Sequence, residues 1–216
     1  LMGGHWGIQV RLSNIGSKGY VDRASAKLNS YFLQAGYFGE NTVVKFITFN
    51  GVEQTYHAWD FASKYDQEQH GRTYNPSGKM EKDAAGNPQF YKNQNDNYHQ
   101  QHYQLLWNQL LGADWNLNLA LHYTKGDGYY EQYKKNQKLA LYGLDAAATK
   151  AKSSLVREKW LDSYFYGAVA SLNYDNKRNF SATLGEGWNK YSNDHFGRVT
   201  WVKKPVDDFM PNHEYY

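Results

Sequence analysis

Alternation of apolar and polar residues dominates this chain. Trp6, Ile8, Val10 and Leu12 alternate with His5, Gly7, Gln9 and Arg11. An extended strand turns successive side chains to opposite faces, so this pattern predicts a strand with one apolar face. The clearest case is 116–124, where Leu117, Leu119, Leu121 and Tyr123 alternate with Asn116, Asn118, Ala120, His122 and Thr124. In 97–111, Tyr103, Leu105, Trp107 and Leu111 share a face, but Leu106 and Leu110 fall on the other with His102, Gln104 and Asn108. Tyr166, Ala168, Ala170, Leu172 and Tyr174 form a further apolar set, interrupted by Val169. Phe180, Ala182, Leu184 and Trp188 alternate with Gly185, Gly187 and Asn189. Seven strands are expected, with an eighth at 197–203.

Connections between these strands predict an architecture. Tight links are expected at 37–41, 112–115 and 175–178, and a modest one at 14–19. Long polar segments are expected at about 50–96, 127–162 and from 191 on. Outer-membrane barrels join strands by short turns at one end and long loops at the other. Soluble domains rarely carry several structureless loops of this length. The fold class expected is therefore all-β, an antiparallel transmembrane β-barrel segment of about seven to eight strands with long extracellular loops. Ala146–Ala148, Lys150, Lys152, Arg157 and Glu158 favour a helical turn or two within 139–160. Gly126-Asp127-Gly128 lacks the acidic positions of a calcium loop and reads as a tight turn at a barrel rim.

Composition shifts the balance further. Mean hydropathy is −0.84, which taken alone describes a soluble chain. Yet 17% of the residues are aromatic, with 20 Tyr and 7 Trp. A barrel wall gives this mixture, because lumen and loop residues dilute the apolar ones. The polar strand faces carry Gln, Asn, Ser, Thr, Gly and His rather than the Lys and Glu usual at a face in bulk water. A β-sandwich remains an alternative on pattern alone. The net charge of +3, with both signs interspersed, argues against a nucleic-acid partner. The chain contains no cysteine, which excludes disulfides and thiolate metal sites. No basic leader followed by an apolar stretch stands at the start, and no apolar run is long enough for a membrane helix.

Candidate chemistry is sparse. His99 and His102 are three apart, which on a strand puts them on opposite faces and argues against a shared metal. His57 and Asp60 open a long loop, three apart, a spacing that allows metal ligation or contact with an anionic chelate, although a loop His is more often simply solvated. No hydrolase, nucleotide-binding or zinc-protease motif occurs. Tyr56, Trp59, Arg72 and Tyr74 cluster in the same connection as His57. Tyr, Trp and Arg are favoured where proteins grip ligands, although loop aromatics also pack on one another. These five residues are the candidate ligand contacts.

One stretch carries a family resemblance. It runs Arg11-Leu12-Ser13-Asn14-Ile15-Gly16-Ser17-Lys18-Gly19-Tyr20-Val21-Asp22-Arg23, followed in order by Thr42, Lys45-Phe46, Phe49, Gly51, Glu53, Thr55 and Ala58-Trp59. It resembles the barrel of TonB-dependent outer-membrane receptors, nearest the ferric-siderophore and ferric citrate type. The segments 96–105, 121–131, 160–162 and 194–199 resemble members of this family from Bacteroides-like bacteria. The resemblance implies a barrel of roughly 22 strands around a plug. It implies an outer-membrane location, and binding and transport rather than catalysis. No cofactor and no metal ligand set is expected. The implied partners are an extracellular metal chelate, outer-membrane lipid, the plug domain of the full-length chain and the TonB complex. Neither plug, TonB box nor terminal aromatic strand is recognisable, so a barrel fragment over 1–216 is expected. Arg11, Arg23, Lys27 and Gln104 are the expected lumen- or plug-facing residues. The rival readings are a soluble β-sandwich that binds a ligand or carbohydrate and a small outer-membrane barrel enzyme.

Overall fold

The computed structural model describes residues 5–56, 58–144, 151–204 and 209–216. They form one antiparallel sheet of eight strands in sequence order. The strands are β1 (Trp6–Ser17), β2 (Ser25–Phe38), β3 (Thr42–Tyr56), β4 (Asn95–Leu111), β5 (Trp115–Lys138), β6 (Lys152–Asp175), β7 (Ser181–Val202) and β8 (His213–Glu214). A short helix, α1 (Lys64–His70), lies between β3 and β4, and a 3₁₀ turn (Leu139–Tyr142) follows β5. Ser63 and Asp66 cap α1 reciprocally. No described helix is long and apolar enough to cross a membrane.

The sheet is open. β1 and β8 end the order, and β8 covers β7 only at Arg198 and Val199. The outer edges of β1 and of most of β7 have no partner strand among the described residues. Open edges leave rows of backbone donors and acceptors without strand partners.

The three tight links fall where the alternation stops, after β2, β4 and β6. The expected long segments shrink instead. β3 continues to Tyr56 and β4 starts at Asn95, while β5 and β6 extend 24 residues each. At ~3.4 Å per residue, these two strands reach about 80 Å. The segment 127–162 is therefore mostly a strand pair and not a loop. The expected helix within 139–160 is reduced to the 3₁₀ turn, with Arg157 and Glu158 in β6; residues 145–150 lie outside the described residues. Cross-strand pairing from Glu131↔Glu158 to Lys138↔Lys152 overrides the helix preference of this stretch. Gly126-Asp127-Gly128 sits within β5 and not in a turn. Residues 197–202 continue β7, and the eighth strand is the short β8.

An enclosed apolar cluster forms at the long-loop end. Leu139, Tyr142 and Leu144 pack on Leu155 of β6 and Val199 of β7, with Phe209 and Tyr215 against them.

Candidate functional site

Register joins the separate alternations into two continuous faces. Paired residues across a sheet project to the same side. On one side, face A, Ile8, Ala35, Phe46, Leu105, Leu121, Ala168 and Trp188 form one row from β1 to β7. The adjacent row holds Val10, Leu33, Thr48, Tyr103, Tyr123 and Tyr166. The next row towards the tight turns holds Trp6, Tyr37, Val44, Trp107, Leu119 and Ala170. These side chains form an apolar band in the open. Leu12 is 78% exposed and Leu184 77%, values far from those of core residues. Glu186, opposite Ala170, interrupts the band on β7. Beyond the band face A turns polar, with His99, Asp127, Asp162 and Asp194 abreast and Lys125 3.1 Å from Asp162.

Face B is mixed but mainly polar. Asn108, Asn116, Asn118, Ser171 and Asn173 share a hydrogen-bonded network near the tight turns. One row holds Arg11, Phe32, Phe49, His102, Thr124, Phe165 and Tyr191. Phe49 stacks on His102 at 4.2 Å, and His102 Nδ1 lies 2.9 Å from Thr124 Oγ1. This aromatic stripe was not read from the sequence. Phe32 and Phe49 sit in strands with apolar residues on both faces, and only their pairing places them side by side.

The connection from β3 to β4 is folded, and two charged residues hold it. Arg23, in the turn between β1 and β2, lays its guanidinium 3.7 Å from the centre of Phe90. It also donates to the Asn75 and Ser77 carbonyls and to Tyr56 Oη. Asn75 and Ser77 are fully buried around it. Farther along, Glu81 accepts from Ser154 Oγ and Tyr133 Oη, each at 2.5 Å, with Lys203 Nζ at 3.5 Å. Burial pushes the Glu81 carboxyl up, but those two hydrogen bonds and the Lys203 charge outweigh it and hold it at about 2. Tyr91 donates to Glu131. Burial pushes Glu131 up and the neighbouring Glu158 adds to this, against the Tyr91 hydroxyl. Glu131 and Tyr133 lie on face A, so this part of the connection drapes over that face.

That path redistributes the expected ligand contacts. Tyr56 lies on face A, is buried, and puts its hydroxyl 2.9 Å from the Tyr91 carbonyl. Tyr74 packs at a tilt on His70 and edge-on to Phe90 inside the folded connection. Arg72 is exposed, and Trp59 meets Tyr130 of face B edge-on at 5.2 Å. His57 lies outside the described residues. The four described ones are thus divided: Tyr56 on face A, Trp59 against face B, and Arg72 and Tyr74 in the connection. The expected lumen set also divides. Arg11 and Gln104 share face B. Lys27 is opposite Gly16 and Gln54 on face A, so it does not share a face with Arg11 and Gln104. β2 carries apolar residues on both faces, so alternation could not orient it. Arg23 is on neither face and belongs to the turn.

His99 and His102 do point to opposite faces, as their spacing on a strand requires. Among the described residues no group of three or more His, Asp or Glu could hold a metal ion. Lys134, Arg157 and Lys159 converge on face B near the long-loop end, a grouping absent from the sequence reading. Period-two spacing at 130, 132, 134 and at 157, 159 was the available signal, obscured by the expectation of loop and helix there. No protein-family model matches the chain, and no curated protein matches it.

Proposed function

We propose that this chain is part of the barrel wall of an outer-membrane receptor of the TonB-dependent kind, which takes up a metal chelate such as a ferric siderophore or ferric citrate. The observation that carries the reading is the exposed apolar band of face A. On β5 it runs from Trp115 to Tyr123. That is about nine residues, the length with which a tilted strand crosses the hydrocarbon core. Trp115 meets Tyr174 at one border, and Tyr123 meets Tyr103 and Tyr166 at the other. Aromatic rows of this kind border the apolar band of outer-membrane barrels. Face B then lines a passage, and further strands pair with the edges of β1 and β7, because lipid does not tolerate open edges. The receptor assignment and the class of ligand rest on the resemblance over 6–59. A plug domain and the TonB complex would supply gating and energy, with binding rather than bond chemistry as the task of this wall.

A β-sandwich would bury face A beneath a second sheet. Among the described residues there is one sheet, and its apolar face is uncovered.

The chain has no cysteine of its own, so single cysteines give a clean test. Leu119 and Ala120 are neighbours on opposite faces. In outer membranes, Leu119→Cys is expected to resist a charged, membrane-impermeant maleimide and to react with a lipid-soluble one. Ala120→Cys is expected to react with the charged reagent. Equal reaction of both with the charged maleimide overturns the membrane reading. Uptake of radiolabelled iron chelates by cells carrying the protein tests the transport reading.

A further inference from the structure

We propose that Lys134, Arg157 and Lys159 form a binding site on face B for an oxyanion that carries more than one negative charge. The pairing of β5 with β6 sets Lys159 opposite Tyr130 and Arg157 opposite Gln132. Lys134, opposite Leu155, is the diagonal neighbour of Arg157, a separation long side chains bridge. Three cations therefore share one face over two adjacent strands.

Their contacts are neutral. Arg157 donates to Gln132 Oε1 at 2.9 and 3.2 Å and to Tyr142 Oη at 3.3 Å. These bonds do not use all its N–H groups. Lys159 Nζ lies 5.6 Å from the centre of Tyr216. Among the described residues none of the three cations has a carboxylate within ion-pair distance. The carboxylates of the same stretch, Glu131 and Glu158, alternate onto face A and are engaged by Tyr91 and Trp160.

Like charges held this close repel one another, the more so where water is partly excluded. Burial lowers the Lys134 pKa first, the Arg157 charge lowers it further and Lys159 adds to this, while Asp60 opposes them. With Asp60 nearby the three cations carry a net charge of two, which a single carboxylate leaves positive and an anion of two charges neutralises. The guanidinium fork suits a planar carboxylate or a phosphate. The aromatic pair Trp59 and Tyr130 borders the site and suits an anion with an apolar or chelated body. This proposal builds on the reading of face B as the wall of a passage. Maleimide labelling tests that reading, and anion binding tests this one independently.

The test uses the protein in detergent micelles, with its sheet verified by circular dichroism, and equilibrium dialysis of radiolabelled citrate and of pyrophosphate. Saturable binding that weakens with ionic strength is expected for at least one of them. The arm that binds tells polycarboxylate from phosphate. Lys134→Gln combined with Lys159→Gln is expected to weaken binding about tenfold or more, as loss of two charge-assisted contacts implies. Lys125→Gln, on face A, is expected to leave binding unchanged. A folded protein that binds neither anion overturns the proposal, and so does binding that survives the double substitution.

Discussion

Tyr133 of β5 donates its hydroxyl to Glu81 at 2.5 Å, fastening the middle of the β3–β4 connection to the long-loop end of the sheet. The carboxylate also takes a bond from Ser154 of β6, so one charge holds three parts of the chain together. Its pKa is 4.5 unfolded and about 2 folded. A depressed carboxyl gives stability that is present above the unfolded value and lost as pH falls through the folded one. Stability is therefore expected to fall between pH 4.5 and about 2. Denaturant midpoints measured across that window check this, and Glu81→Gln should flatten the dependence. At neutral pH that substitution should cost about 1.5–3 kcal/mol, the range for hydrogen bonds to a charged group.

Arg23 holds the other end of the same connection. Arg23→Ala removes the contact with Phe90 and leaves the buried carbonyls of Asn75 and Ser77 without its donors. A loss of about 2 kcal/mol is expected. Arg23→Lys should recover only part of it, because an ammonium lacks the planar fork. Faster tryptic cleavage within 57–94 is the readout, and unchanged cleavage in Arg23→Ala would contradict this anchoring.

Gly126 and Gly128 give the strand pair β4–β5 its close approach to Tyr98. A Cβ on Gly126 would run into the Tyr98 hydroxyl, and one on Gly128 into the Asn97 carbonyl and, at 2.8 Å, the Tyr98 Cα. The first obstacle is the tip of a side chain and the second is backbone. Gly128→Ala should therefore cost more than Gly126→Ala, with overpacking at about 1–3 kcal/mol. Adding Tyr98→Phe should relieve Gly126→Ala and leave Gly128→Ala unimproved. Thermal unfolding of the four variants decides this.

Charge tolerance should differ between the faces. Leu121→Arg places a cation in the middle of the apolar band and, in lipid, should cost about 2–4 kcal/mol. Gln104→Arg, on face B beside His122, should cost under about 1 kcal/mol. Unfolding in lipid vesicles compares them. Equal costs would argue against lipid at face A.

Strand positions near the tight turns were legible because one face there is apolar and the other polar. Leu117, Leu119, Leu121 and Tyr123 announce both a strand and its orientation. Beyond the apolar band that contrast disappears. Asp127, Glu131 and Lys134 follow one another with polar residues on both faces, so period two becomes invisible and strand reads as loop. Propensity misled in 152–160 for the same reason, since backbone pairing there outweighs the local preference of Lys, Arg and Glu for helix. The placement of the candidate contacts was not legible either. Tyr56, Trp59, Arg72 and Tyr74 are close in sequence, but the folded connection divides them, with Tyr56 on face A and Trp59 against Tyr130 of face B.

By itself the sequence determined the class of structure: alternating, antiparallel strands joined by tight links at one end, with a distinct apolar face on several of them. Local periodicity carries that information, because side-chain direction in a strand repeats every two residues. Only the tertiary structure decided which apolar sets join into one band and which side Lys27 takes. It alone brought Lys134, Arg157 and Lys159 together and tied Arg23 and Glu81 to partners more than fifty residues away. Register and loop path set those relationships. Both depend on pairing between distant segments, which no local window of sequence contains.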